Sequence, residues 1–169
     1  MNNIQFDRCL QRIRNGNMNG LRPIFDGYYG ALKITAKRIL NSDTAADNAA
    51  SETLFEIVRY ARSHNRPHIE NVGAYLYDTV TKIAAHMLGN RAASEFETAA
   101  ALEFDRADGA NYEHAFARLD TVDFNIAVMY YLFDCNITEI SNTVNVSTAD
   151  LKSKLDDISV RLKKYLIKN

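Results

Sequence analysis

The stretch Ile137-Thr-Glu-Ile-Ser-Asn-Thr-Val-Asn-Val-Ser-Thr-Ala-Asp-Leu151 carries the most specific pattern in the chain. Counted from Ile137, Ser141 stands at the fifth position, where two helices meeting at a tight turn need a small side chain. Asn145 stands at the ninth, where the turn needs a left-handed backbone, and Asn is the best non-glycine residue for it. Ser147 or Thr148 can cap the next helix, and Leu151, at the fifteenth position, packs that helix back on the first. This is the spacing of a helix-turn-helix; an ordinary helical hairpin is the other arrangement it allows. Around it the apolar spacing predicts a helix from about Tyr112 to Phe133, a short one from Ile137 to Val144 and a longer one from Thr148 to Leu166. Leu151, Leu155, Ile158, Leu162 and Leu166 make the buried stripe of the last.

Helical periodicity also runs through the first half. Phe6, Cys9, Leu10 and Ile13 fall on one face, and the Asn/Gly-rich stretch from Asn15 to Gly20 ends that helix. Pro23, a favoured first-turn residue, opens a second helix running to Leu40. Asn41 to Thr44 supply N-caps for a third, in which Leu54, Ile57, Val58 and Ala61 repeat at helical spacing, and which ends before Pro67. A fourth carries Val72, Tyr75, Leu76, Thr79, Val80, Ile83 and Met87 on one face and stops at Gly89-Asn90. Residues 92–112 mix alanines with acids around an Asp108-Gly109 step and read as a linker with some helical character. The expected fold is therefore all-α: two small helical domains, 1–91 and 113–169, joined by an acidic linker over 92–112.

The chain has 169 residues, of which 47% are hydrophobic and 24% charged, ordinary values for a globular protein and too apolar for a disordered one. No apolar run is long enough to cross a membrane, and the start lacks the apolar centre of a signal peptide, so a cytoplasmic protein without membrane insertion is expected. Cys9 and Cys135 lie far apart and read as small buried hydrophobes, not a disulfide or a thiolate zinc site. The net charge of −1 hides a pattern. Positions 1–91 carry twelve Lys/Arg against eight Asp/Glu, 92–118 two against six, and 119–169 six against seven. A stand-alone nucleic-acid binder usually shows a strong basic excess, and this chain has none overall.

Catalytic readings find little support. Of His64, His68, His86 and His114, only the first two have ligand-like spacing, and Pro67 breaks the helix that would align them, so no metal is expected. No nucleophile-elbow, phosphate-loop, dinucleotide or paired-histidine zinc pattern is present, so neither an enzyme nor a cofactor is expected. Tyr28-Tyr29 and Tyr130-Tyr131 read as core and rim residues before base-stacking platforms.

With these patterns placed, the whole chain resembles a group 4 (extracytoplasmic-function type) sigma factor of bacterial RNA polymerase. Such proteins join two helical domains, regions 2 and 4, by a flexible linker. The segment Ala46-Asp-Asn-Ala-Ala-Ser-Glu-Thr-Leu-Phe-Glu-Ile-Val58 is similar to the region 2 helix that docks on the clamp of the polymerase β′ subunit. The segment Ala74-Tyr-Leu-Tyr-Asp-Thr-Val-Thr-Lys-Ile-Ala-Ala-His86 resembles the helix that meets the −10 element. Glu139, Ile140, Ser141, Ser147, Leu151, Lys152, Ser153, Lys154 and Leu155 match the pattern of the region 4 helix-turn-helix. The family's Asp, Gln and Phe of the clamp helix fall here on Asn48, Ser51 and Leu54, and its tryptophan of the −10 helix on Tyr75.

The resemblance implies a function: binding core polymerase through the β′ clamp and the β flap, and directing transcription initiation at −10 and −35 promoter elements. It assigns polymerase contacts to Asp47, Asn48, Ser51, Glu52 and Phe55. It assigns promoter DNA contacts to Arg62, Arg66, Tyr75 and Lys82 in the first half and to Ser147, Thr148, Asp150, Lys152 and Lys154 in the second. An anti-sigma factor is a further implied partner. The alternative is a sigma-like regulator or decoy that binds an anti-sigma factor instead of promoter DNA; a plain helical interaction module, such as a dimerising helix-turn-helix regulator, is a third reading.

Overall fold

The computed structural model describes residues 1–65, 67–90 and 110–167, without the side chains of 110, 111 and 167. Among them every regular element is helical and no strand occurs. The chain divides into two compact units, Met1–Arg106 and Ala107–Asn169. Most of the linker expected over 92–112, up to residue 109, lies outside the described residues.

In the first unit, α1 (Asn3–Arg14) opens with a reciprocal cap: the Asn2 side chain accepts from Gln5 N at 2.9 Å and the Gln5 side chain from Asn2 N at 3.2 Å. It buries Phe6, Cys9, Leu10 and Ile13, the stripe its spacing predicts. A 3-10 turn, Met18–Leu21, then folds back onto it. A Cβ at Gly20 would lie 2.6 Å from the Cys9 carbonyl oxygen, so only glycine allows this approach. The next helix, α2 (Arg22–Leu40), has Pro23 in its first turn and ends at Asn41, which takes the left-handed conformation (φ 49°).

The third helix, α3 (Asp43–Arg62), starts at the cap Ser42, whose hydroxyl accepts from Ala45 N. Its buried face, Ala46, Ala49, Ala50, Thr53, Leu54, Ile57, Val58 and Ala61, is small at one end, which lets α2 and α3 pack closely. The buried hydroxyls of Thr35 and Thr53 each donate to the carbonyl four residues back at 2.8 Å, so neither is left unsatisfied. Helix α4 (Val72–Asn90) packs on both α2 and α3.

The α4 stripe differs from expectation. Val72, Leu76 and Val80 are buried together with Gly73, Tyr77 and Ala84, whereas Tyr75, Thr79, Ile83 and Met87 form a half-exposed row. Side-chain hydrophobicity favours Ile83 and Met87. Close packing of helices instead favours the faces that carry small residues, and that consideration wins here.

In the second unit α8 (Thr148–Ile167) is the central element, against which α5 (Ala110–Ala117), α6 (Thr121–Ala127) and α7 (Ile137–Val144) all pack. The single helix expected from Tyr112 to Phe133 is in fact three segments: α5, α6 and a π-helical turn, Val128–Leu132. Asp120 causes the first break. Its carboxylate accepts from Asp123 N at 2.9 Å and restarts the chain as a new helix, while Leu119 is buried in the corner. At the other end Phe133 N donates to the Val128 carbonyl at 3.1 Å, the five-residue step of a π turn, and Asp134 leaves it in the left-handed region (φ 56°). The α8 stripe holds for Leu151, Leu155, Ile158 and Leu162. Leu166 is instead 47% exposed; on this last turn it is Tyr165 that is covered, by the Arg118 guanidinium 5.2 Å from its ring centre. Both cysteines are buried, and burial pushes the Cys135 thiol up to about 12.

Candidate functional site

The helix-turn-helix stretch folds with the local geometry its spacing requires. Asn136 and Glu139 form a reciprocal cap at the start of α7, at 3.0 and 2.8 Å. Asn145 ends α7 in the left-handed region (φ 55°, ψ 45°), with its N–H on the Ser141 carbonyl. Ser141 contributes more than small size: its hydroxyl donates to the Val146 carbonyl at 2.6 Å and ties the turn to α7. The Ser147 hydroxyl accepts from Asp150 N at 3.1 Å and donates to the Asp150 carboxylate at 2.6 Å. Asp150 is thereby part of the cap, and its charge faces the positive end of the α8 dipole. Leu151 is fully buried against this turn.

Ser147, Thr148, Asp150 and Lys152 are all exposed at the start of α8. Lys154, expected on the outer flank, is half-exposed and pairs with the neighbouring helix: its ammonium meets Asp123 Oδ1 at 3.0 Å. Arg161 reaches the other carboxylate oxygen of Asp123 and also pairs with Asp157 at 2.9 Å. Asp123 is 4% exposed. Burial alone would raise its pKa, but the hydrogen bonds from Arg161 and Lys154 outweigh that and hold the carboxyl below the usual carboxylate range. Sequence reading missed this residue. The signal available was a lone acid flanked by apolar residues, followed 31 and 38 positions later by cations of a helix that packs on it.

The α3 residues assigned to polymerase contact separate into two groups. Asn48, Glu52 and Phe55 are half-exposed and share one face of the helix. Beside them Arg59 bridges Glu52 and Glu56, each at 2.6 Å, which lowers the Glu56 pKa and raises that of Arg59. Asp47 instead turns toward α2, accepting from Tyr29 Oη at 2.8 Å and Lys33 Nζ at 3.0 Å. Ser51 is 5% exposed, so its hydroxyl is not available to a partner. The face that buries Ala50 and Leu54 takes Ser51 with it.

Near the end of α3, the Tyr60 and Tyr75 rings are 5.6 Å apart at 46°, and Tyr60 Oη donates to the Pro67 carbonyl, pinning the connection to α4. Tyr75 is half-buried, and that burial raises the pKa of its phenol. Arg62 is exposed, with Nη2 3.8 Å from Met18 Sδ. Lys82, also exposed, pairs with Asp78 one turn away at 2.6 Å. Arg66 lies outside the described residues. Tyr60 was not singled out from the sequence because it sits off the apolar stripe of α3, and its partners come from a different element.

No protein-family model matches the chain, and no curated protein matches it.

Proposed function

We propose that this protein is a sigma factor, acting in the cytoplasm without catalysis of its own, that binds core RNA polymerase and directs promoter-specific initiation. The observation that carries the reading is the turn formed by Ser141, Asn145 and Ser147. It leaves the first turns of α8 exposed, as a major-groove reading helix requires.

On this reading Asn48, Glu52 and Phe55 dock on the β′ clamp, with Phe55 as the apolar anchor. The Tyr60–Tyr75 end of the first unit, with Arg62 and Lys82, receives the −10 strand. Unstacking one base there costs a few kcal/mol, which stacking and nearby cations offset. The second unit engages the β flap and places Thr148 and Lys152 at the −35 groove. The weak net charge is compatible with this role, because polymerase supplies much of the complex's affinity for DNA.

A sigma-like decoy that binds an anti-sigma factor is the second reading. What favours it is the pairing of Lys154 with Asp123 beside the exposed acids Asp150, Asp156 and Asp157, which leaves Lys152 the one exposed cation in the first three turns of α8. Run-off transcription with core polymerase on fragmented genomic DNA of the host decides between them. Discrete transcripts that Lys152→Ala weakens support promoter recognition. Tight binding of a small anti-sigma protein with no transcript from the parent supports the decoy.

A further inference from the structure

Helix α8 buries one face, Leu151, Leu155, Ile158 and Leu162, and leaves the opposite one open. On that open face Ser153, Asp156, Asp157, Val160, Lys163 and Lys164 are all exposed. Val160 stands at its centre, 66% exposed in an otherwise polar row. The two acids precede it by four and three residues, and the two lysines follow it by three and four. With about 3.6 residues per turn, Asp156 and Lys163 fall on one side of Val160 and Asp157 and Lys164 on the other.

These charges are largely left over by the fold. Asp156, Lys163 and Lys164 form no ion pair among the described residues, although Lys152 stands one turn before Asp156. Neither lysine has an acid within four residues on either side. Asp157 pairs with Arg161 at 2.9 Å, yet its side chain stays 67% exposed. The helix dipole does not explain the pattern, because it acts within the first and last turns and both acids lie mid-helix.

We infer that this face receives a second copy of the chain, the two α8 helices lying antiparallel about a two-fold axis at Val160. Under that operation the pattern is its own complement. Asp156 meets Lys163 of the second copy and Asp157 meets Lys164 of the second copy, and both pairs recur by symmetry around the two valines. Parallel pairing would instead set acid beside acid and lysine beside lysine. An unrelated partner would need a matching sequence of its own, whereas a second copy carries it already. One helix face is smaller than the roughly 800 Å² that a stable interface buries on each side, so the dimer is transient and forms at high concentration. On the nucleic-acid reading proposed above, a paired copy is withheld from DNA, since the covered turns begin at Ser153, next to Lys152. The pairing itself does not rest on that reading and is tested without DNA or polymerase.

Sedimentation equilibrium of the full chain at rising concentration is the test. The parent is expected to show a reversible monomer–dimer equilibrium that salt weakens. Asp156→Lys and Lys163→Asp should each associate about ten-fold or more weakly, because each sets like charges together twice in the dimer. An equimolar mixture of the two variants restores both pairs and should associate as the parent does. Asp7→Lys, the same charge change on α1, should have no effect. Cross-linking reads the axis. Cys9 and Cys135 are buried, so Val160→Cys supplies the one exposed thiol, and copper–phenanthroline as oxidant should join two copies through it. Ser153→Cys should stay unlinked, since antiparallel pairing holds its two copies roughly 21 Å apart along the axis at ~1.5 Å per residue. A parent that stays monomeric up to about 1 mM would overturn the inference. So would a mixture that fails to restore association, or Ser153→Cys linking as readily as Val160→Cys.

Discussion

The ammonium of Lys154 on α8 meets the buried carboxylate of Asp123 on α6 at 3.0 Å. Arg161, two turns further along α8, closes on the other oxygen of the same carboxylate. One acid therefore fixes both the rotation and the axial position of α8, the helix whose start is exposed beyond the turn. A buried carboxylate is stable only while it keeps a cationic partner, because the charge has left water.

Asp123→Ala is expected to destabilise the second unit by about 2 kcal/mol, below the range for fully buried pairs because Lys154 and Arg161 are themselves partly exposed. Lys154→Ala should cost less, since Arg161 remains. In a double-mutant cycle followed by urea unfolding, Lys154→Ala should add little once Asp123 is gone. Full additivity of the two changes would mean that the pair is not coupled.

The same carboxylate sets a pH dependence. Its pKa is depressed in the folded protein, so its contribution is fully present above the unfolded carboxylate value of about 3.9 and is lost as pH falls through the folded value. The stability gap between the parent and Asp123→Asn should be constant near neutrality and close as the solution is acidified below about pH 4. Urea midpoints at successive pH values give the check; a gap that widens on acidification would contradict the assignment.

Asn145 holds a left-handed backbone at φ 55°. Asn145→Ala should cost about 1 kcal/mol, and Asn145→Gly should be close to neutral. Thermal unfolding of the two variants checks this, and equal losses would show that the Asn side chain, not the backbone, closes the turn.

On the proposed reading of polymerase docking, Phe55 and Glu52 are the residues to probe. Leu54 is fully buried, so Leu54→Ala opens a cavity costing about 2–5 kcal/mol of stability and says nothing about docking. Phe55→Ala should keep the protein folded and weaken capture of core polymerase by about 2 kcal/mol or more, as for an anchor at an interface centre. Glu52→Lys should weaken it too, and Asn48→Ala less. If a folded Phe55→Ala variant is captured as well as the parent, this face is not the docking face.

Much of the fold was legible because its determinants are local. The stripe of α1, the caps at Ser42 and Ser147, the left-handed Asn145 and the bounds of α7 each depend on residues within one or two turns of each other. Short-range backbone chemistry sets them wherever the chain runs afterwards. Even the break at Asp120, which hydrophobic periodicity passed over, is a local capping event, hidden because apolar spacing continues across it.

Other features required the partner elements in three dimensions. Nothing near Lys154 in sequence says that it turns to Asp123, since that depends on α6 and α8 packing together. Ser51 and Asn48 read alike as polar residues of one helix; the proximity of α2 and α4 buries the first and leaves the second half-exposed. The charge of the first half could be counted from composition, but which arginines keep it was decided by the carboxylates that folding brought to the others. Capping and periodicity act within a turn or two of helix, so the sequence by itself determined the helices. Burial and ion pairing act between segments tens of residues apart, so only the tertiary structure decided which side chains were left for a partner.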